Sequence, residues 1–301
     1  MRLVLLVLAL LSGAVAARAE EMPAVQAYRL ALNPDLFIAG ATEIRARELA
    51  DLLAVVANEI LEPVPGAGPR YAPPATATAA DAESGTTARY FDTPGCDLAR
   101  AALWLRQAGP HWRLSLSVRS AAFAAASPLR DSEGGATLTE TLTATAGEAA
   151  EMAAFDVTVT RAERVLPPHY MADAAIAFDQ LEAALAAAGA AAPADETELL
   201  AGPPLREEVR ALGTVMLGPE ARPEVRLRLL HDAADPAGGD PRVAELVFAL
   251  APAPAGEGAR DLAAQLFAEL RRELGEAWLA PAPPAPAARG LREDCVPALR
   301  H

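Results

Sequence analysis

Two cysteines and four histidines are the residues of this chain that most often act as metal ligands or nucleophiles. They are Cys96, Cys295, His111, His169, His231 and His301. None of them shows the close ligand pairing of a zinc site, and no Ser-His-Asp or Cys-His set has a recognisable spacing. The chemistry left to the cysteines is either one disulfide between Cys96 and Cys295 or two free thiols.

Arginine supplies every basic side chain apart from histidine, because the sequence contains no lysine. The chain has 26 basic and 40 acidic residues and a formal net charge of −14. Bulk negative charge repels nucleic acid and anionic membranes, so we expect neither as a partner. A binding or catalytic role that would otherwise need lysine must be filled by arginine. The planar guanidinium of arginine, which can bond through two N–H groups at once, is not equivalent to the ammonium group of lysine.

The N-terminus carries the pattern of an export signal over Met1–Ala19. Arg2 precedes an apolar run from Leu3 to Leu11, and Ala17-Arg18-Ala19 forms a small-residue cleavage signature before Glu20. The run is too short for a membrane span. We therefore expect a periplasmic or secreted mature protein, in an oxidising compartment that permits the disulfide. The alternative is an apolar N-terminal anchor that is never cut.

Along the mature chain, apolar residues recur every two residues in some segments, which is typical of strands, and about every 3.6 residues in others, which is typical of helices. Strands are predicted at Ala24–Leu32, Thr86–Asp92, Ala101–Gln107, Trp112–Arg119, Ala153–Ala162, Val209–Met216, Glu224–Leu230 and Arg242–Leu250. Helices are predicted at Thr42–Leu61, Asp173–Ala190 and Arg260–Leu274, and Ala121–Ala150 reads as loop with partial strand. Strands in this number, with helices outside, can close into a barrel that leaves no bare edge.

These elements predict one α+β domain, a closed or nearly closed antiparallel β-barrel with flanking helices. The predicted domain covers residues 20–280. It follows the signal peptide, residues 1–19, and precedes a loosely ordered tail rich in proline and alanine, residues 281–301.

The most distinctive stretch, Arg89–Ser117, reads RYFDTPGCDLARAALWLRQAGPHWRLSLS. A first strand ends at the turn Thr93-Pro94-Gly95, and two further strands follow. This order resembles the core of the CYTH, or triphosphate tunnel metalloenzyme, family, whose members carry Y-[YF]-D-T-P, then L-x-R-x-R, then W-x-x-T-L-K. Weaker similarity covers most of Ala24–Leu274. The resemblance implies a tunnel whose inward residues bind a triphosphate and a divalent metal.

Carried over by position, the resemblance implies that few of the family's inward charges are kept. Where the family has E-x-E-x-K, this chain has Val25, Ala27 and Arg29, and one arginine of the R-x-R pair is Trp104. The implied ligand-binding residues are Arg29 and Arg106, with Arg210 and Arg228 as further candidates, and the implied metal ligands are Asp156 and Glu245.

Two functions follow from the resemblance. The first is a non-catalytic protein that needs no cofactor and binds a small ligand, still anionic through the remaining arginines, or acts as an envelope interaction module. The second is a Mg- or Mn-dependent inorganic triphosphatase or related phosphohydrolase. We favour the first, because the two lost glutamates would have bound metal and oriented the attacking water. A plainer interpretation stays open, in which Asp156 and Glu245 pair with arginines on neighbouring strands as structural charges.

Overall fold

The protein is described from a computed structural model. The structure describes residues 24–38, 40–61, 70–74, 85–109, 111–118, 136–146, 152–162, 196–235, 239–251, 257–283 and 289–295, with single residues at 124, 186, 191, 193 and 194. The predicted signal peptide lies outside the described residues, and so does the predicted helix Asp173–Ala190 apart from residue 186.

The elements are numbered in chain order. The strands are β1 Ala24–Leu32, β2 Tyr71–Ala72, β3 Thr87–Asp92, β4 Leu103–Ala108, β5 His111–Val118, β6 Ala136–Ala144, β7 Met152–Ala162, β8 Leu200–Ala201, β9 Leu205–Val215, β10 Glu224–Asp232 and β11 Val243–Leu250. The helices are α1 Thr42–Val55, continued by a π-helical turn Val56–Ile60, α2 Asp97–Arg100 and α3 Glu257–Trp278, and a 3₁₀ turn spans Pro34–Phe37. The partial strand expected within Ala121–Ala150 is β6. Strand β9 starts at Leu205 rather than Val209, and the short elements β2, β8 and α2 were not predicted.

Within the described residues, nine strands close into a ring in the order β9-β10-β11-β1-β6-β7-β5-β4-β3. The ring closes because β3 pairs with β9 through Thr87↔Arg206 and Ala88↔Leu205. The predicted closed barrel with flanking helices is therefore confirmed. It is mixed rather than purely antiparallel, since β1 and β6 run parallel. A closed ring with an odd number of strands cannot alternate direction throughout, so at least one parallel pair is required.

The two faces of the barrel wall differ in polarity. Alternate residues of β1, β10 and β11 pack outward against α1 and α3 in one apolar core, which includes Tyr28, Leu30, Leu227, Leu229, Leu246, Phe248, Leu49, Leu53, Leu266, Phe267 and Leu270. The Tyr28 ring stacks on Phe248 at 4.8 Å between centroids. Because side chains alternate along a strand, the residues between these face the barrel interior. In these three strands the apolar side is thus the outer one, and the charged residues face the inside.

The turn after β3 is organised by a buried carboxylate. Asp92 accepts hydrogen bonds from the backbone N–H groups of Thr93 at 2.7 Å, Leu98 at 3.0 Å and Ala99 at 3.0 Å. Burial raises the pKa of Asp92, although these hydrogen bonds act in the opposite direction. The acid of the D-T-P motif is therefore structural here: it caps the short helix α2 and positions Cys96, which precedes that helix in a left-handed conformation (φ 61°).

Candidate functional site

Six charged side chains from five strands and the C-terminal segment meet inside the barrel. This interior cluster consists of Arg29, Arg106, Glu207, Arg228, Glu245 and Arg289. Arg106 Nη2 lies 2.6 Å from Glu207 Oε2, and Arg228 Nε lies 2.5 Å from Glu207 Oε1. Arg228 also reaches Glu245 Oε2 at 3.3 Å, so it bridges the two glutamates.

Glu245 is the centre of the cluster and has no solvent exposure. Its Oε1 accepts a hydrogen bond from Arg289, and its Oε2 lies 3.6 Å from Arg29 Nε. Strand register explains this contact set. Glu245 pairs directly with Arg228 on β10 and with Ala31 on β1, which places Arg29 diagonally across from it.

The cluster carries an excess of positive charge. Burial alone would raise the pKa of Glu245, but Arg29, Arg289 and Arg228 lower it to about 2. The pKa of Glu207 is likewise lowered by Arg228 and Arg106 against the effect of burial. Both glutamates are therefore ionised at neutral pH, and four arginines face two carboxylates. An enclosed excess of guanidinium groups favours an anion.

A cavity of about 350 Å³ lies beside the cluster, towards the end of the barrel formed by Ala27 and Ala249. It is lined by Ala27, Tyr28, Arg29, Thr141, Glu224, Arg226, Val247, Phe248 and Ala249. Arg29 belongs to both the cluster and the cavity. A ligand in this cavity would therefore contact a charge that is held in place by the buried Glu245.

A C-terminal plug, residues 289–295, packs against the barrel on the other side of the cluster. Cys295 is disulfide-bonded to Cys96, which confirms the first of the two sequence alternatives, and Trp104 packs against this disulfide. Arg292 Nη1 donates to the Thr93 carbonyl at 2.9 Å. The segment expected to be loose is thus anchored over these residues, and it brings Arg289 to Glu245.

The plug fits closely against the barrel wall. A Cβ at Gly202 would lie 2.3 Å from the carbonyl oxygen of Gly290, and a Cβ at Gly290 would lie 3.0 Å from Leu205 Cδ1. Leu205 belongs to a small apolar cluster with Leu230 and Val243. Along β11 the plug therefore lies near Val243, whereas the cavity lies near Ala249.

Four of the six site residues implied by the sequence come together in the cluster. These are Arg29, Arg106, Arg228 and Glu245. Arg210 does not join them, because it shares a strand face with Leu212, which packs in the outer core. Its guanidinium instead contacts Glu43 of α1 at 2.5 Å and Glu208 at 2.6 Å.

Asp156 lies on the interior side of β7 but apart from the cluster. It pairs by register with Ser117 on β5 and Thr139 on β6. It takes part in none of the ion pairs that link the cluster. The pairing of Asp156 with Glu245 as joint metal ligands therefore stays a prediction that rests on the resemblance alone.

Two members of the cluster, Glu207 and Arg289, were missed by sequence reasoning. Glu207 precedes Val209, where the strand was expected to begin, and so it was assigned to a loop. Arg289 lies in a segment whose proline and alanine content gave no sign of packing. The two-residue spacing of Leu205, Glu207 and Val209, which puts Glu207 on the same strand face as two apolar residues, is the signal that could have found Glu207. Nothing in the sequence near Arg289 marks it as part of the site.

The donor set around Glu245 does not suit a divalent cation. Mg²⁺ and Mn²⁺ favour several oxygen ligands, whereas Glu245 is surrounded by arginines that repel a cation. Among the described residues, the group that could otherwise hold a metal is Cys96, Cys295 and Asp294. Both sulfur atoms of that group are used in the disulfide.

Comparison with known protein families finds no family model that matches this chain, and no curated protein is significantly similar to it. In the part of the chain that the structure describes, no helix is both long enough and apolar enough to span a membrane.

Proposed function

We propose that this protein binds a small anionic ligand inside its barrel and does not hydrolyse it. The observation that carries the proposal is the interior cluster, in which four arginines face two glutamates beside a cavity of about 350 Å³. A buried charge excess is costly unless it is balanced, and a bound anion supplies the balance.

The closed barrel is compatible with the tunnel fold of CYTH proteins, and the motif at Arg89–Ser117 supports that family as the origin of the fold. The arginines fit the inherited task of holding an anion. The metal-dependent alternative is less well supported, because Glu245, one of its two implied ligands, is already engaged by Arg29, Arg228 and Arg289.

Export from the cytoplasm is part of the proposal. The disulfide between Cys96 and Cys295 supports it, because such bonds persist mainly in oxidising compartments. Expression of the full chain in a Gram-negative bacterium should yield periplasmic protein that begins at Glu20. Recovery of the uncut chain from the cytoplasm or the membrane fraction would contradict export of a cleaved protein.

Thermal unfolding with added anions tests the binding proposal, since a ligand that binds only the folded state raises the unfolding midpoint. The panel is inorganic phosphate, tripolyphosphate and naphthalene-2-sulfonate. We expect at least one of them to raise the midpoint in a concentration-dependent way, and Arg29→Gln to abolish the rise. Arg272→Gln is the matched control, because Arg272 is exposed on α3 and pairs with Glu269.

The same samples separate binding from hydrolysis. No midpoint shift with any of the three anions at millimolar concentration would reject anion binding. Release of phosphate from tripolyphosphate with Mn²⁺, lost in Glu245→Ala, would reject the non-catalytic assignment and restore the phosphohydrolase.

A further inference from the structure

We infer that the ligand is an organic anion with a single negative charge on an apolar body, bound in the cavity between Arg29 and Arg226. This inference rests on the proposed function, because it assumes that the barrel binds an anion. It adds the chemical class of that anion, which is argued from the charges and the walls of the cavity.

The geometry of the cavity points to one anionic head group. Arg29 on β1 and Arg226 on β10 both pair by register with Val247 of the strand between them. Neighbouring strands lie about 4.8 Å apart, so the two arginines flank Val247 with roughly 10 Å between their backbones. A carboxylate or sulfonate above Val247 can accept hydrogen bonds from both guanidinium groups.

The charges at the cavity favour an anion of low charge. Among the described residues, Arg29, Arg226 and Glu224 are the charged side chains that line it, and Arg29 also lies 3.6 Å from Glu245 Oε2. Glu224 Oε2 lies 2.5 Å from Arg226 Nε and would repel further negative charge. The three remaining arginines of the interior cluster share the two carboxylates of Glu207 and Glu245, so only a small positive excess lies beyond the cavity. A polyphosphate with a charge near four would therefore be poorly balanced in this cavity.

The walls of the cavity favour an apolar body. Ala27, Val247 and Ala249 occupy interior-facing positions of β1 and β11, and they leave room because two of them are alanine. Thr141 adds one hydroxyl group. A volume of about 350 Å³ falls within the range of small-molecule sites, which are mostly apolar with a few placed polar groups.

Isothermal titration of the disulfide-bonded mature protein tests the inference with three probes. They are naphthalene-2-sulfonate, its neutral analogue naphthalene-2-methanol, and inorganic tripolyphosphate. We expect the sulfonate to bind at least about tenfold more tightly than the neutral analogue, because that is the effect of a charge-assisted hydrogen bond. We also expect it to bind more tightly than tripolyphosphate.

Two variants locate the site. Ala249→Phe fills the cavity from an exposed position and should abolish sulfonate binding with the unfolding midpoint kept. Arg226→Gln should weaken sulfonate binding by about tenfold and leave the neutral analogue unchanged. If Ala249→Phe fails to fold, Ala27→Val narrows the same cavity and replaces it.

The results distinguish failure of this inference from failure of the proposed function on which it rests. Tighter binding of tripolyphosphate than of the sulfonate would overturn the monoanion and leave anion binding standing. Sulfonate binding that Ala249→Phe and Ala27→Val leave unchanged would place the site elsewhere and overturn this inference. No binding of either anion would reject the proposed function itself.

Discussion

Glu245 is a carboxylate that stays ionised although it has no contact with solvent. Burial disfavours its charge, and the guanidinium groups of Arg29, Arg228 and Arg289 restore it. The arginines depend on the carboxylate in return, because without it three positive charges would stand close together in the barrel. At the scale of single residues, Glu245 therefore holds the site together rather than reacting in it.

Replacement of Glu245 by glutamine should lower the free energy of unfolding by about 3–5 kcal/mol, since it leaves buried charges without their partner. The control is Glu48→Gln, which removes a carboxylate from an exposed pair with Arg45 and should cost less than about 1 kcal/mol. Urea unfolding of both variants measures the difference. Equal small losses in the two would show that the buried charge is not needed for stability.

The sequence could predict which face of a strand carries charge in β1 and β10, where apolar neighbours mark the opposite face. Arg228 lies between Leu227 and Leu229, and Arg29 lies between Tyr28 and Leu30, so alternation agrees with the inward position that the resemblance implied for both. The same rule fails for Arg210, which lies between Val209 and Ala211 and yet faces outward with Leu212. Arg289 could not be assigned by this rule either, because its place depends on a disulfide and not on a periodic pattern.

At the scale of elements, the closed barrel was predictable from the number and alternation of its strands. The parallel pair of β1 and β6 was not, because β6 consists largely of threonine and alanine and follows β1 only after several intervening elements. Alternation within a segment predicts a strand and its inward face, whereas the strands that it pairs with depend on closure of the whole ring. The position of the C-terminal plug was also not predictable, because neither alternation nor ring closure determines it.

The plug should depend on the disulfide, which closes a loop across 199 residues of sequence. Reduction, or the double substitution Cys96→Ser and Cys295→Ser, should cost about 2–5 kcal/mol of unfolding free energy. It should also weaken anion binding, because Arg289 loses its anchor beside Glu245.

Melting curves with and without reductant measure the effect of the disulfide, and the double variant is the control because reductant should leave it unchanged. An unchanged melting midpoint in wild-type protein shown by thiol titration to be fully reduced would contradict a stabilising role.

At the scale of the whole molecule, acidic side chains with lowered pKa values tie stability to pH on both faces of the wall. Inside, the pKa of Glu245 is about 2. Outside, the contact with His231, whose Nε2 lies 3.3 Å from Glu208 Oε2, and the pairing with Arg210 outweigh burial and lower the pKa of Glu208 to about 2. Arg210 in turn contacts Glu43, which joins α1 to β9. Protonation at low pH therefore weakens both the interior cluster and the contact between barrel and helix.

The contribution of Glu208 and Glu245 to the free energy of unfolding should be complete above about pH 4.5. It should be lost progressively as the pH drops towards 2. Carboxyl groups that titrate lower in the folded protein than in the unfolded chain bind fewer protons when folded, so acid favours unfolding. A single carboxyl shifted this far contributes about 3 kcal/mol. Asp92 acts in the opposite sense, because burial raises its pKa, and it offsets part of the loss.

Urea midpoints at pH 7, 5, 4 and 3 measure this dependence, and Glu208→Gln serves as the matched variant. It should unfold more easily at pH 7 yet lose less stability between pH 5 and pH 3, because one of the titrating groups is gone. A wild-type midpoint that stays constant from pH 5 to pH 3 would show that these carboxyls keep ordinary pKa values. It would also contradict the pairing of Glu245 with Arg29, Arg228 and Arg289, because a carboxylate held by three guanidinium groups must have a lowered pKa.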